Sequence, residues 1–305
     1  MTEDTPFISV VIPVASAGTL TRESLQTVLR SVEDFERACE LVLVLNGLRD
    51  GEREELDELL THPSVVWVER ADRIGSAPAR CLGVDRARGR YTVMTDADCM
   101  VPADWVSRMA RAAAEHDVAC GQVQAANTSV NACVRIEEEI DRLRNSTATP
   151  SGTRRYPTTA NMIARRDLLA LIANDRDNTA EDIQLSLEYM HRGIRVASVD
   201  DVVVRTIYPS SLMQCMSRRA KHAKGTAFAQ GLWTRREWRG FGMRGPVALA
   251  LAGSVRVWRM RLSRFEQLLA FGLRLWFAAA WAWYLVARVG RPRPRRSGEV
   301  REASG

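Results

Sequence analysis

Two carboxylates one residue apart, Asp96 and Asp98, follow a run of five largely apolar residues, Tyr91-Thr92-Val93-Met94-Thr95. A short apolar run bounded by turn signals reads as a strand buried on both faces of a parallel sheet, and in such sheets ligands sit beyond the carboxyl ends of the strands. Both aspartates then project into a site. Hard carboxylate oxygens at that spacing can hold one divalent cation, directly and through water, and leave its other positions to substrate phosphates, which suits Mg2+ or Mn2+. The competing reading is a loop aspartate capping the helix that opens at Pro102-Ala103-Asp104. A second acidic pair, Glu181-Asp182, stands at the start of a helical stretch, Ala180–Arg192, with Ile183, Leu187 and Met190 on one face. Carboxylates there satisfy orphan N–H groups and the positive end of the helix dipole. A buried carboxylate beside a metal-bound substrate can equally take the proton of an attacking hydroxyl, and the residues alone leave both readings open.

The elements that must position these groups follow from periodicity. Phe7–Val14 (FISVVIPV) is a β-branched run closed by Pro13 and the loop Ala15-Ser16-Ala17-Gly18, a strand followed by a tight turn. Thr21 is placed to cap a helix carrying Leu25, Val28, Leu29 and Val32. Leu41–Leu45 is a second strand, broken at Asn46-Gly47; Gly51–Leu60 is acidic and helical; Val65–Val68 is a third strand; Ala77–Ala87 is a helix entered through Gly75. Beyond the Tyr91 strand come a helix (Trp105–His116), a strand (Val118–Val123) and a helix over Val130–Asn145, in which Glu137, Glu138 and Glu139 form a solvated face. Ser146–Tyr156 reads as a loop, Ala160–Ile172 as an apolar element and Asp175–Asn178 as a turn. Strands alternating with helices at this pace predict βαβ units and an α/β fold with a mostly parallel sheet.

At 305 residues, 46% hydrophobic and 26% charged, the chain is ordinary for a globular protein, which excludes disorder over most of its length. The six cysteines are scattered without a C-x-x-C and the four histidines lie far from zinc-ligand spacing, so a structural zinc site and a disulfide framework are not expected. Met1-Thr2-Glu3-Asp4 does not resemble a secretory signal, and reduced cysteines in a cytoplasmic compartment are the expectation. Charge is uneven: residues 1–217 carry about −9 and residues 218–305 about +15, a basic tail suited to an anionic surface.

The order of the pieces resembles the family 2 glycosyltransferases: VVIPV with a small loop, LVLVLNG, GSAPARCLGVDRARGRY, TDADCM, TTANMIARRD, then AEDIQLSLEYMHRG. Several short motifs in the right order are more specific than any one. The resemblance covers about residues 7–230 and implies a GT-A-type mostly parallel central sheet flanked by helices. It also implies an inverting enzyme that moves a sugar from a nucleotide-sugar donor to an acceptor hydroxyl. Under it, Asp98 resembles the ligand of a Mn2+ or Mg2+ ion on the diphosphate, and Asp96 a contact to nucleotide or sugar that also faces the metal. Pro13, Val14 and Asn46 fall on the donor side, and Arg80, in the A-R-x-x-G pattern, beside nucleotide and phosphate. Asp182 resembles the catalytic base, with Glu181 beside it, and Asn161 and Met162 match the acceptor-side segment, with Ala160 where glycine is usual. Arg218-Arg219-Ala220-Lys221-His222 is similar to the R-x-x-R-W/Y element that steadies the diphosphate, so that Arg218 and Lys221 are expected on the donor.

Two further departures bear on donor and metal. An aspartate pair is usual where Leu45-Asn46 stand, and Leu45 cannot accept a hydrogen bond from base or ribose. A histidine is usual after the strand ending in Val204-Arg205; Arg205 stays protonated and cannot be a ligand, which leaves His222 as the candidate to complete the metal shell.

From Arg218 onward tryptophans interleave with arginines. Leu268–Ala287 is about twenty residues with one charge, Arg274, long enough for a membrane span. Arginines crowd both flanks, however, and the positive-inside rule wants both on the cytoplasmic side. The expectation is a helix lying in the interface, or a re-entrant hairpin with Pro246–Val257, on the inner face of the cell membrane; the competing reading is a helix pair packed on the catalytic domain or a partner subunit. The apolar run is too continuous for a nucleic-acid stacking platform, so no nucleic-acid partner is expected. The organisation predicted is a catalytic domain over 1–230, an apolar Trp/Arg-rich helical segment over 231–290 that associates with membrane, and a basic disordered tail over 291–305. The acceptor class is open between lipid-linked, glycan and natural-product hydroxyls. Two alternatives stand beside this reading: a nucleotidyltransferase, for which Ala15-Ser16-Ala17-Gly18 is a poor phosphate loop, and a non-catalytic relative acting as a membrane or partner scaffold.

Overall fold

The computed structural model describes residues 7–145, 153–154, 157–176, 178–240, 245–246, 257–258 and 260–288. The front half alternates strand and helix: β1 (Ile8–Val14), α1 (Thr19–Glu33), β2 (Cys39–Asn46), α2 (Asp57–Leu60), β3 (Val65–Arg70), α3 (Ser76–Arg86) and β4 (Tyr91–Thr95). These strands pair in parallel, β2 between β1 and β3 and β4 on the far side of β1. Residues of β1, β2 and β4 are almost all buried because helices cover both faces. The chain steps outward from β1 to β3 and then returns across β1 to β4. This reversal opens a crevice at the carboxyl ends of β1 and β4, where open α/β sheets bind ligands.

The second half extends the sheet with β5 (Cys99–Met100), α4 (Trp105–Glu115), β6 (Val118–Ala125), α5 (Ala132–Asn145), β7 (Thr153–Arg154), β8 (Asn161–Arg165), α6 (Arg166–Leu169), α7 (Glu181–His191) and β9 (Val196–Thr206). The strand order is β3-β2-β1-β4-β8-β6-β9-β5, with β7 paired to β9. β8 runs antiparallel to both β4 and β6, and β9 runs parallel to β6. One core layer joins Ile12, Leu43 and Val93 to Leu25 and Trp105 of α1 and α4. The other joins Met94 and Met162 to Leu185 and Tyr189 of α7. The mostly parallel, helix-flanked sheet expected from the resemblance is therefore present.

Among the described residues three helices follow: α8 (Leu212–Gly231), α9 (Arg235–Gly240) and α10 (Arg264–Ala287). α8 and α10 each open with a capping box, Ser211 with Gln214 and Ser263 with Glu266. α10 packs on α8 and α7 through Trp281, Phe277, Phe228 and Leu187, so the apolar C-terminal helix is in part a layer of the protein's own core. Its other face carries Phe265, Leu268, Leu275, Trp276, Trp283 and Val286, all exposed.

Several local expectations change. α1 begins at Thr19 after Gly18, and Thr21 is buried inside it rather than capping it. The Gly51–Leu60 helix contracts to α2 preceded by one tight turn over Glu54–Leu56. Ala160–Ile172 resolves into β8 and α6. Glu137 and Glu139 are buried, not solvated, because α8 and the segment ahead of α10 bring Arg219, Arg218 and the Arg261 N–H against them. The Ser146–Tyr156 loop apart from Thr153–Arg154, the interior of the Pro246–Val257 hairpin arm and the 291–305 tail lie outside the described residues.

Candidate active site

The crevice at the ends of β1 and β4 is a cavity of about 800 Å3, within the range of small-molecule sites. Its walls bring together most residues singled out in the sequence: Pro13, Asn46, Arg80, Asp96, Asp98, Glu181, Asp182, Arg218, Lys221 and His222. They come from the ends of β1, β2 and β4, the starts of α3 and α7, and one face of α8. Arg218, Lys221 and His222 share that face because residues three and four apart stand one above the other on a helix.

Other expected residues lie elsewhere. Val14 is fully buried in the core; it follows Pro13 in a strand, where successive side chains point to opposite faces. Leu45 is fully buried in the same layer for the same reason, so the pattern departure there removes nothing from the cavity wall. Asn46 lines the cavity, but its amide is bound to protein: Oδ1 accepts from the Ile74 N–H at 2.8 Å and Nδ2 donates to the Gly75 carbonyl at 3.2 Å. Gly75, at φ +99°, makes the turn into α3 that most side chains resist. Met162 is fully buried between Met94, Cys120 and Leu185. Asn161 is fully buried too, accepting from Trp105 Nε1 at 2.9 Å and donating to the Gln122 and Val202 carbonyls at 2.8 and 3.0 Å. The expectation that these two face an acceptor is corrected: the cavity wall at this point is Thr158, Thr159 and Ala160. Arg205 is exposed on β9 and outside the cavity lining.

The centre of the site is an ion cluster around Arg80, a buried guanidinium that pairs with both Asp96 and Glu181. Burial alone would lower its pKa, but the charges of Glu181, Asp96 and Asp182 outweigh that and hold Arg80 firmly protonated. Burial pushes Glu181 upward against the opposing pull of Arg80, and Ser76 Oγ donates to its other oxygen at 3.3 Å. Glu181 is thereby committed to holding Arg80, while its neighbour Asp182 accepts from the Thr159 N–H at 3.2 Å and Thr159 Oγ1 at 2.8 Å. Only Asp182 of that pair stands at the less buried edge of the site.

Asp96, Asp98 and Cys99 present ligand atoms that all lie within 4.8 Å of one another. Although Asp98 faces open cavity space, the surrounding walls and then the Asp96 charge push its carboxyl up to about 6. Burial, followed by those same two carboxylates, holds the Cys99 thiol above its ordinary range, so it stays protonated. Two close carboxylates fit a hard divalent cation, whereas a neutral thiol does not add a ligand of that kind. Mn2+ or Mg2+ would be held by Asp98 and Asp96; His222 lines the same cavity but falls outside that three-residue cluster.

Residues not anticipated from sequence also line the cavity. Arg73 donates to the Ala15 carbonyl at 2.5 Å and its own carbonyl accepts from Arg176. Asp141 stands beside Arg218, 3.5 Å from its Nη2. The Thr158-Thr159 pair just ahead of the Asn161 motif was a sequence signal for Asp182's partner; nothing local marked Arg73 or Asp141.

The family described as glycosyl transferase family 2 matches residues 9–172, and glycosyl transferase family group 2 matches residues 91–290. Glycosyltransferase AglE of Haloferax volcanii is 29% identical over 112 residues, 35% of this chain and 36% of that protein, so the match spans about a third of that curated relative. Among solved structures, mannosyltransferase PcManGT from Pyrobaculum calidifontis, in complex with GDP-Man and Mn2+, superposes with a TM-score of 0.62 at 21% identity over 92% of this chain and 87% of that one. S. aureus TarS 1–349, in complex with UDP-GlcNAc, gives 0.51 at 14% identity over 92% and 91%. At those identities the likeness is one of fold. The sequence match over residues 9–172, more than half of the chain, shows that this protein belongs to glycosyl transferase family 2.

Proposed function

We propose that the protein transfers a sugar from a nucleoside-diphosphate sugar to an acceptor hydroxyl, with inversion at the anomeric carbon and with a divalent cation on the diphosphate. The observation that carries this reading is the single cavity in which paired carboxylates (Asp96, Asp98), cations (Arg80, Arg218, Lys221) and a separate carboxylate (Asp182) converge. The relatives solved with GDP-Man and Mn2+ and with UDP-GlcNAc support the donor class.

In this reading Asp182 takes the proton of the acceptor hydroxyl as its oxygen attacks the anomeric carbon. The bond from that carbon to the diphosphate oxygen breaks on the opposite side, and the nucleoside diphosphate leaves with the bonding pair. Asp98 and Asp96 would hold the cation, which would supply neutralisation of the charge on the leaving group. Arg218 and Lys221 add positive charge there, in a site where preorganised electrostatics is often the largest catalytic contribution. Arg80, neutralised by Asp96 and Glu181, fixes the position of Asp96 rather than offering a free charge. The exposed apolar stripe of α10 with its flanking arginines suits an interfacial seat on an anionic, inner membrane surface, which would bring membrane-held acceptors within reach.

Calorimetric titration with UDP-, GDP- and dTDP-sugars, with and without Mn2+, tests the assignment on the intact chain beside Asp98→Ala and Asp182→Asn. Expected is Mn2+-dependent binding of one donor, lost in Asp98→Ala and retained in Asp182→Asn, whose turnover falls by about 10²- to 10⁴-fold. A folded wild-type protein that binds no donor would overturn the transferase reading in favour of a scaffold.

A further inference from the structure

Arg218 reaches the cavity through an unusual arrangement of charge. The adjacent Arg219 makes a forked contact with Glu137, Nε at 3.1 Å on one oxygen and Nη2 on the other, on a carboxylate with no exposed surface. With both Glu137 oxygens occupied, Arg218 Nε stays 3.8 Å from the nearer one. Its Nη2 stands 3.5 Å from Asp141 Oδ2. Both distances are ion-pair contacts longer than good hydrogen bonds. Arg218 is thus held by charge on two sides while its guanidinium donors remain to be given to a ligand in the cavity that it and Asp141 both line.

The Asp141 oxygen that faces Arg218 is also held by Tyr208. Its hydroxyl donates to the same Asp141 oxygen, Oδ2, at 2.9 Å, and the Arg218 guanidinium carbon lies 5.3 Å from the centre of the Tyr208 ring, within reach of a cation–π attraction. Tyr208 is itself fixed: it is buried, its N–H donates to Asn127 Oδ1 at 2.8 Å, and its carbonyl accepts from Asn127 Nδ2 at 3.0 Å. Burial and then the Asp141 charge push the phenol above its ordinary range, so it stays a donor.

We propose that Tyr208 is a positioning residue for the donor diphosphate: by holding Asp141 back it keeps Arg218 available to the distal phosphate. This rests on the assignment of a nucleoside-diphosphate donor above. Arg218 gains charge-assisted hydrogen bonds only with a ligand that reaches it, and a carboxylate free to swing onto it would be an internal competitor for the same donors.

The test compares UDP and UMP, and GDP and GMP, as calorimetric probes in the presence of Mn2+. Tyr208→Phe keeps the ring beneath the guanidinium and removes the hydroxyl. UDP or GDP binding is expected to weaken about tenfold, with the monophosphate unchanged. Adding Asp141→Asn to Tyr208→Phe removes the competing charge and is expected to return diphosphate affinity to the wild-type value or above it; Asp141→Asn alone is expected to leave it equal or higher. A merely structural tyrosine would weaken both nucleotides and would not be rescued by the second substitution. Unchanged diphosphate affinity in Tyr208→Phe, equal loss of both nucleotides, no recovery in the double variant, or weaker diphosphate binding in Asp141→Asn alone would each overturn the proposal. Should Tyr208→Phe fail to fold, Asp141→Asn alone decides. Wild-type protein that binds none of UDP, GDP and dTDP would instead sink the donor assignment itself.

Discussion

At the scale of single residues, the site is governed by how few carboxylates are free. Arg80 absorbs Asp96 and Glu181, Tyr208 engages Asp141, and Asp98 is left as the acid whose ionisation the fold resists. Raised from 3.8 to about 6, Asp98 binds its proton more tightly in the native state than in the unfolded chain. Its contribution therefore favours the fold at low pH and is lost as pH rises through about 6. A divalent cation reverses this by stabilising the ionised form. The stabilising increment from Mn2+, measured as a shift in Tm, should be small at about pH 5 and grow through about pH 6 to 7.5, and Asp98→Asn should abolish the increment at every pH. An increment independent of pH, or one that survives in Asp98→Asn, would remove Asp98 from the metal site.

At the scale of elements, the motif around Asn161 does its work inside the sheet. Its amide ties β8 to Trp105 of α4 and to carbonyls of β6 and β9, where the β6/β9 register shifts between Cys120 and Gln122. Gly121 is required at that bulge, since a Cβ there would meet Asn161 Nδ2 at 2.2 Å and the Val202 carbonyl at 2.3 Å. Asn161→Ala strands a buried indole N–H and two carbonyls, each costing about 1–3 kcal/mol. Urea unfolding should show a loss of at least about 2 kcal/mol with an unchanged slope. A variant of native stability with altered acceptor KM would return Asn161 to the acceptor side.

At the scale of the whole molecule, α8 joins two roles: one face supplies Arg218, Lys221 and His222 to the cavity, and the other packs on α10. The apolar stretch therefore splits its surface, burying Ala270, Leu273 and Trp281 while Phe265, Leu268, Trp283 and Val286 remain exposed. A helix that faces protein on one side and presents aromatics on the other suits an interface better than a span surrounded by lipid. Replacing Phe265 and Trp283 with Ser should weaken binding to vesicles containing anionic lipid by at least about tenfold while donor binding is kept. Equal vesicle binding by wild type and variant would discard the membrane reading.

Local pattern was enough for the βαβ succession, the acidic tip of β4 and the Glu181-Asp182 helix start, because strand alternation, helical spacing and turn residues are set by neighbours along the chain. The family resemblance put Asn161 and Met162 on an acceptor side that their buried side chains do not reach, and local pattern put Glu137 in solvent that does not touch it. Those outcomes depend on which strand face or helix packs opposite, and such partners lie far away in sequence. Only the tertiary structure decided that Glu181 holds Arg80 while Asp182 remains at the cavity edge, that Leu45 points into the core, and that Tyr208 and Asp141 meet Arg218. Each is a contact between distant segments, fixed when the sheet order reverses at β1 and α8 closes over the crevice.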